Sequence, residues 1–117
     1  MSGDWPPDTR EKAAERSEGR CERCGLHRAQ HLHHRLLRGY GNHEVSNALH
    51  VCLSCHEDIH SEPDWSYRHG WLIKCGCQHD ALTRGGCVCD PSKTIVVYRG
   101  EKVRLAPDGW ILLQPVA

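Results

Sequence analysis

Phenylalanine is absent from this chain, aromatic residues make up only 6% of it, and no long apolar run occurs in its 117 residues. The last absence excludes a transmembrane helix, and the polar stretch from Met1 to Arg20 does not read as a secretory signal. The expectation is therefore a cytoplasmic protein with no membrane partner. With a hydrophobic fraction of 38% and few large aromatics, the side chains supply only a thin core. That suffices for one compact domain with an appendage, provided something else helps to hold it. Net charge is missing too: 15 basic residues offset 15 acidic ones, so the molecule as a whole gives no reason to expect strong nonspecific binding to polyanions. Locally the balance breaks. Arg20, Arg23, Arg28, Arg35 and Arg38 face only Glu22, which makes a basic segment able to contact phosphates or to serve as a plain solvated face.

What the chain has in excess is metal-binding chemistry: eight cysteines and ten histidines. A metal bound by the native state and not by the open chain adds its binding free energy to folding. In a reducing cytoplasm an even cysteine count reads as metal ligation before it reads as disulfides. Cys21-Glu-Arg-Cys24 and Cys52-Leu-Ser-Cys55 are two C-x2-C pairs, each able to present two thiolates from one tight turn. Neither lies in the βαβ context of a thioredoxin-like redox pair. Together they complete a tetrahedral S4 set, which suits zinc and leaves no open coordination position, so the site is structural.

Turn signals and periodicity divide the rest. Residues 1–19 read as a flexible or weakly helical lead-in, because Asp8 to Glu18 has helix-forming residues and a stop at Gly19 but no apolar periodicity. Residues 20–69 hold a hairpin with a long loop around Arg38 to Asn42, a short strand at Asn47 to Val51, and a helix from Leu53 to Ser61 that Pro63 ends. Residues 70–117 offer four apolar runs separated by turns, at Gly70 to Ile73, Thr94 to Tyr98, Val103 to Leu105 and Trp110 to Leu113, which read as an antiparallel β extension.

Histidines cluster between and just after the two knuckles. His56 and His60 are four apart on the expected helix, so both rings leave one face and can reach one ion. A third ligand from the facing strand would leave coordination positions for substrate and water. In the doublet His33-His34, neighbouring side chains of a strand point to opposite faces, so only one binds the ion. His27, His31, His43, His50, His69 and His79 read as ordinary surface or core histidines.

The order His33-His34, Asn47, His56 and His60, enclosed by two C-x2-C knuckles, resembles the HNH (ββα-metal) endonuclease family, in particular its phage-encoded members. The resemblance covers roughly Arg20 to Trp71, and Gly70-Trp71 and Pro107-Asp-Gly109 are similar to parts of the tails of phage members. It implies a small α+β fold, a ββα-metal domain with a four-Cys zinc knuckle and a C-terminal antiparallel β extension. It also implies hydrolysis of DNA phosphodiesters to 5'-phosphate and 3'-hydroxyl ends. His33, His56 and His60 would hold the catalytic ion, and His34 would act as general base on the attacking water. Asn47 would orient His34 or brace the hairpin. Arg35 and Arg38, next to the doublet, could hold DNA phosphates. Where many relatives carry Asp this chain has His33, so the catalytic ion could be zinc or nickel as well as magnesium or manganese. By resemblance the partners are DNA and phage terminase or packaging proteins, in the cytoplasm of a bacterial host. A noncatalytic zinc module that binds nucleic acid or protein is the rival reading, and a ribonuclease is the third.

A second cysteine set lies outside the resemblance. Cys75-Gly-Cys77 and Cys87-Val-Cys89 could bind a second structural zinc and staple the extension, or could be free thiols or disulfides.

Overall fold

In the computed structural model, which describes residues 5–37, 42–75 and 89–113, helices are joined to two small antiparallel sheets. The chain runs α1 (Pro7–Ser17), β1 (His31–His34), β2 (Ala48–Val51), α2 (Leu53–Ser61), α3 (Pro63–Arg68), β3 (Val96–Tyr98), β4 (Glu101–Leu105) and β5 (Ile111–Leu113). Strands β1 and β2 pair with His31 opposite Val51 and His34 opposite Ala48. Strands β3, β4 and β5 form a separate meander. This is a small α+β fold. Among the described residues no helix is long and apolar enough to cross a membrane.

The first correction concerns the lead-in. Residues from Trp5 onward are built into the body: Trp5 is buried, and α1 turns Thr9, Ala13, Arg16 and Ser17 inward with it. Those positions recur at helical spacing, but most are polar, so a search for apolar periodicity passes over them. Pro7 starts the helix, where its missing N–H costs nothing, and the left-handed Glu18 and Gly19 end it.

Arg16 explains why a polar stripe can be buried. Its Nε and Nη2 donate to the Glu22 carboxylate at 2.6 and 2.7 Å, and its remaining donors reach the carbonyls of Val45, Ala48 and Gly109. Glu22, fully buried, also accepts from the His50 amide and the Tyr98 hydroxyl. Burial and the Glu22 carboxylate raise the Tyr98 pKa above its ordinary value, so the phenol remains a donor. One carboxylate thus ties together α1, the first knuckle, β2 and β3.

The main core draws on both halves of the chain: Leu49 and Val51 of β2, Ile59 of α2, Trp71 and Leu72, and Val96, Tyr98, Val103 and Leu105 of the meander. The C-terminal sheet therefore shares one core with the hairpin and α2, instead of hanging on it as an appendage. The run Gly70 to Ile73, expected as a strand, is a turn. The amides of Trp71 and Leu72 both donate to Ser66 O, closing α3, and Ile73 N donates to Arg35 O. Gly70 has a positive φ of 75°, and a side chain there would run into the Ile95 carbonyl, so only glycine lets α3 end against the chain leading into β3. Pro63 ends α2 as expected and also opens α3, which periodicity did not suggest.

Candidate metal centres

Cys21 and Cys24 sit in a tight turn closed by Gly25 N to Cys21 O, with Gly25 at positive φ. Cys52 is the residue before α2 and Cys55 lies in its first turn. The four sulfurs lie within 4.8 Å of one another. A tetrahedral site with Zn–S bonds of about 2.3 Å spaces its sulfurs about 3.8 Å apart, so the cluster has the dimensions of a four-thiolate zinc site. The local chemistry also favours thiolates. The amides of Arg23 and Cys24 point at Cys21 Sγ, that of Leu26 at Cys24 Sγ, and Arg23 Nη1 lies 3.2 Å from Cys55 Sγ. Burial opposes ionisation of Cys52, yet the amide of Cys55 and the hydroxyl of Ser54 carry its pKa down to about 6. Burial and the neighbouring sulfurs raise Cys55 instead. Four thiols this close can all be deprotonated together only beside a shared cation that offsets their charge, as a structural zinc would.

The second centre lies where β1 meets α2. His33 is buried on the inner side of β1, while His56 and His60 project one helical turn apart from α2. Their ring centroids are 5.3 Å (His33–His56), 5.1 Å (His33–His60) and 5.0 Å (His56–His60) apart, and one nitrogen from each lies within 4.8 Å of the others. The site is graded from inside to outside: His33 is buried, His56 half-buried and His60 exposed. An ion held there would have protein on one side and solvent on the other.

His33 is prepared for ligation. Its Nε2 lies 2.7 Å from Trp71 O, and since a carbonyl only accepts, Nε2 carries the proton and Nδ1 keeps the lone pair. Burial takes its pKa down to about 3, with the charges of His56, His60 and His34 acting in the same direction. The ring is neutral at physiological pH, as a ligand must be. Burial also lowers His56. Trp71 is held in turn by its indole N–H on Val97 O and by the Arg23 guanidinium 4.2 Å above its ring. Sequence reasoning missed Trp71, because a backbone carbonyl leaves no trace in residue identity.

No protein-family model, curated protein or solved structure matches the chain. The site must therefore be read from its own geometry.

His34 points away from the triad. Its ring stacks on Trp5 at 3.8 Å with an 18° interplanar angle, and its Nε2 lies 3.3 Å from His43 Nδ1. It is half-buried. Asn47 is fully buried, and of the two roles left open to it, it takes the bracing one. Its Oδ1 accepts from Leu36 N at 2.6 Å, and its Nδ2 donates to the carbonyls of Leu36 and Asn42. The amide thus ties Leu36 and Asn42 to the residue that precedes β2.

Arg35 is a correction. Expected on DNA phosphate, it is fully buried with its guanidinium spent on backbone: Nε on Gly70 O, Nη1 on Ser46 O and Pro91 O, Nη2 on Thr94 O. Burial lowers its pKa to about 9, still above neutrality, so a charged guanidinium sits at the junction of four chain segments. Should the chain bind DNA, the change Arg35→Ala is expected to lower the melting temperature and to leave the salt dependence of that binding unchanged, whereas loss of a phosphate contact reduces the salt slope by about one. A binding titration at several salt concentrations checks this. Arg38 lies outside the described residues.

Of the second cysteine set, Cys75 and Cys89 are brought together, with their sulfurs 3.7 Å apart. Cys77 and Cys87 lie outside the described residues.

Proposed function

We propose that this protein is a metal-dependent DNA endonuclease of the HNH type. The observation that carries the reading is the convergence of His33, His56 and His60 at the seam of a β-hairpin and the helix that follows it, with His34 on the opposite side of the same strand. Three imidazoles on a hairpin and the helix that follows it form an open donor set, in contrast to the closed four-sulfur set nearby. The strand-strand-helix order that carries them agrees with the ββα-metal fold. An ion bound there would supply a Lewis acid for a phosphate oxygen and the leaving 3' oxygen.

The chain's own residues have distinct tasks. His33, His56 and His60 hold the cation, and the Trp71 carbonyl fixes which nitrogen His33 offers. His34 accepts the proton of the water that attacks phosphorus, for which a neutral imidazole is suited. Asn47 braces the hairpin by its bonds to Leu36 and Asn42. The four-Cys site keeps α2, and with it two of the three imidazoles, in place.

Because all three donors are imidazoles, cleavage is expected with nickel or zinc at lower concentrations than with magnesium or manganese, which prefer oxygen ligands. A plasmid cleavage assay titrated with each divalent ion, with an RNA of equal length alongside, tests the reading. Nicked or linear plasmid supports it and shows which polymer is the substrate. No cleavage with any ion would leave a zinc-stabilised binding module.

A further inference from the structure

Three aromatic rings meet at the outer end of β1, and none of them belongs to the three-histidine centre. Trp5 lies flat on His34, its edge faces His43 at 5.7 Å and 77°, and His43 Nδ1 lies 3.3 Å from His34 Nε2. Two of the three residues are anchored by further bonds. The Trp5 indole donates to Leu32 O at 3.0 Å. The His43 carbonyl accepts from the Thr9 hydroxyl at 2.9 Å, and the preceding residue, Asn42, gives its carbonyl to Asn47 Nδ2 at 2.8 Å. His43 is therefore held from α1 on one side and from the hairpin on the other, although it lies in a loop.

We propose that His43 is a positioning residue for His34: its Nδ1 accepts the Nε2 proton of His34 and so leaves the His34 lone pair on Nδ1, while Trp5 holds the plane of the ring. The two restraints are complementary. A stack limits tilting but permits rotation within the plane, and a hydrogen bond in the ring plane removes that rotation and selects the tautomer. The opposite sense, with His43 donating to Nε2, would place the His34 proton on Nδ1 and occupy its only acceptor nitrogen. Only the first sense lets His34 take a proton from water, and to that extent the inference rests on the general-base reading of His34. It also gives α1 a function, since both Trp5 and Thr9 come from the segment that precedes or begins it.

The test uses the full zinc-loaded chain and two replacements of His43 with similar bulk. In His43→Asn the amide oxygen stands close to where Nδ1 was and still accepts; in His43→Leu nothing does. Expected for His43→Leu is a fall in kcat of about 10²-fold with KM and zinc content unchanged, and for His43→Asn a recovery to within about fivefold of the native value. Long-range proton–nitrogen NMR correlations of the His34 ring report the tautomer without reference to activity. They should show Nε2–H alone in the native chain and in His43→Asn, and a mixture in His43→Leu. Should His43→Leu not fold, Thr9→Val, which releases the His43 carbonyl and nothing at the ring, is expected to mix the same tautomers. An unchanged His34 tautomer in the folded variants overturns the proposal, and so does a His43→Leu enzyme as fast as the native one. A chain that cleaves no DNA but whose His34 tautomer still depends on His43 would overturn the nuclease reading and leave the positioning role standing.

Discussion

Replacing His34 with alanine is expected to slow DNA cleavage by about 10³-fold, within the range that a positioned general base contributes, while DNA affinity and metal content stay as they are. The separation is expected because His34 is not among the three imidazoles whose nitrogens converge, and its ring turns instead to Trp5 and His43. Its removal leaves the Asn47 bonds to Leu36 and Asn42 intact. The stack on Trp5, which keeps its bond to Leu32 O, and the bond to His43 Nδ1 are lost with the ring. The cost in stability should be small beside the kinetic loss. Single-turnover cleavage with saturating metal, read beside a melting curve and a filter-binding isotherm, separates the three quantities. A noncatalytic zinc module would give the same isotherm and melting curve for both chains and no cleavage from either. A variant that cleaves as fast as the native chain would remove His34 from the chemistry and with it the mechanism proposed here.

The two candidate ligand clusters were legible in the sequence for a physical reason. Ligand spacing is local: C-x2-C fits one tight turn, His56 and His60 fit one turn of helix, and a ligand's chemistry is fixed by its residue type. The helix from Leu53 to Ser61 and the strands of the meander follow for a similar reason, since their apolar positions repeat with the period of the element. Features that depend on distant partners were not legible. Arg35 looks like a phosphate contact in the sequence, because the carbonyls that bury it come from Ser46, Gly70, Pro91 and Thr94, none of them near it in the chain. The inward face of α1 was passed over because its contacts are an ion pair to Glu22, a hydroxyl to the His43 carbonyl and another to the His50 ring. The run from Gly70 to Ile73 misled in the opposite direction. Apolar residues need burial but not extended backbone, and here a turn after α3 buries them. One signal was available and unused: Trp5, Thr9, Ala13 and Ser17 recur every four residues, a stripe that becomes visible once small polar residues are allowed into it.

The largest effect on the fold is expected from the sulfur cluster. The change Cys52→Ser should remove one equivalent of zinc and unfold the chain at ambient temperature, and a strong chelator should do the same to the native protein. Structural zinc contributes about 10–16 kcal/mol in small zinc domains, as much as the entire stability of an ordinary domain, which is about 5–15 kcal/mol. This chain has little to set against such a loss, since it has no phenylalanine and its main core counts Cys21, Cys52 and Cys55 among its buried members. Cys52 also occupies the joint between β2 and α2, directly before the helix that carries His56 and His60. Losing it should release that helix from the hairpin and separate His33 from the other two imidazoles. Cleavage should then disappear although none of the four cysteines belongs to the three-histidine group, and added catalytic metal should not restore it. Metal analysis and far-ultraviolet circular dichroism of the variant decide the matter. A Cys52→Ser chain that is zinc-free, folded and still able to cleave would show that the apolar core alone positions α2, and the four cysteines would then need another explanation.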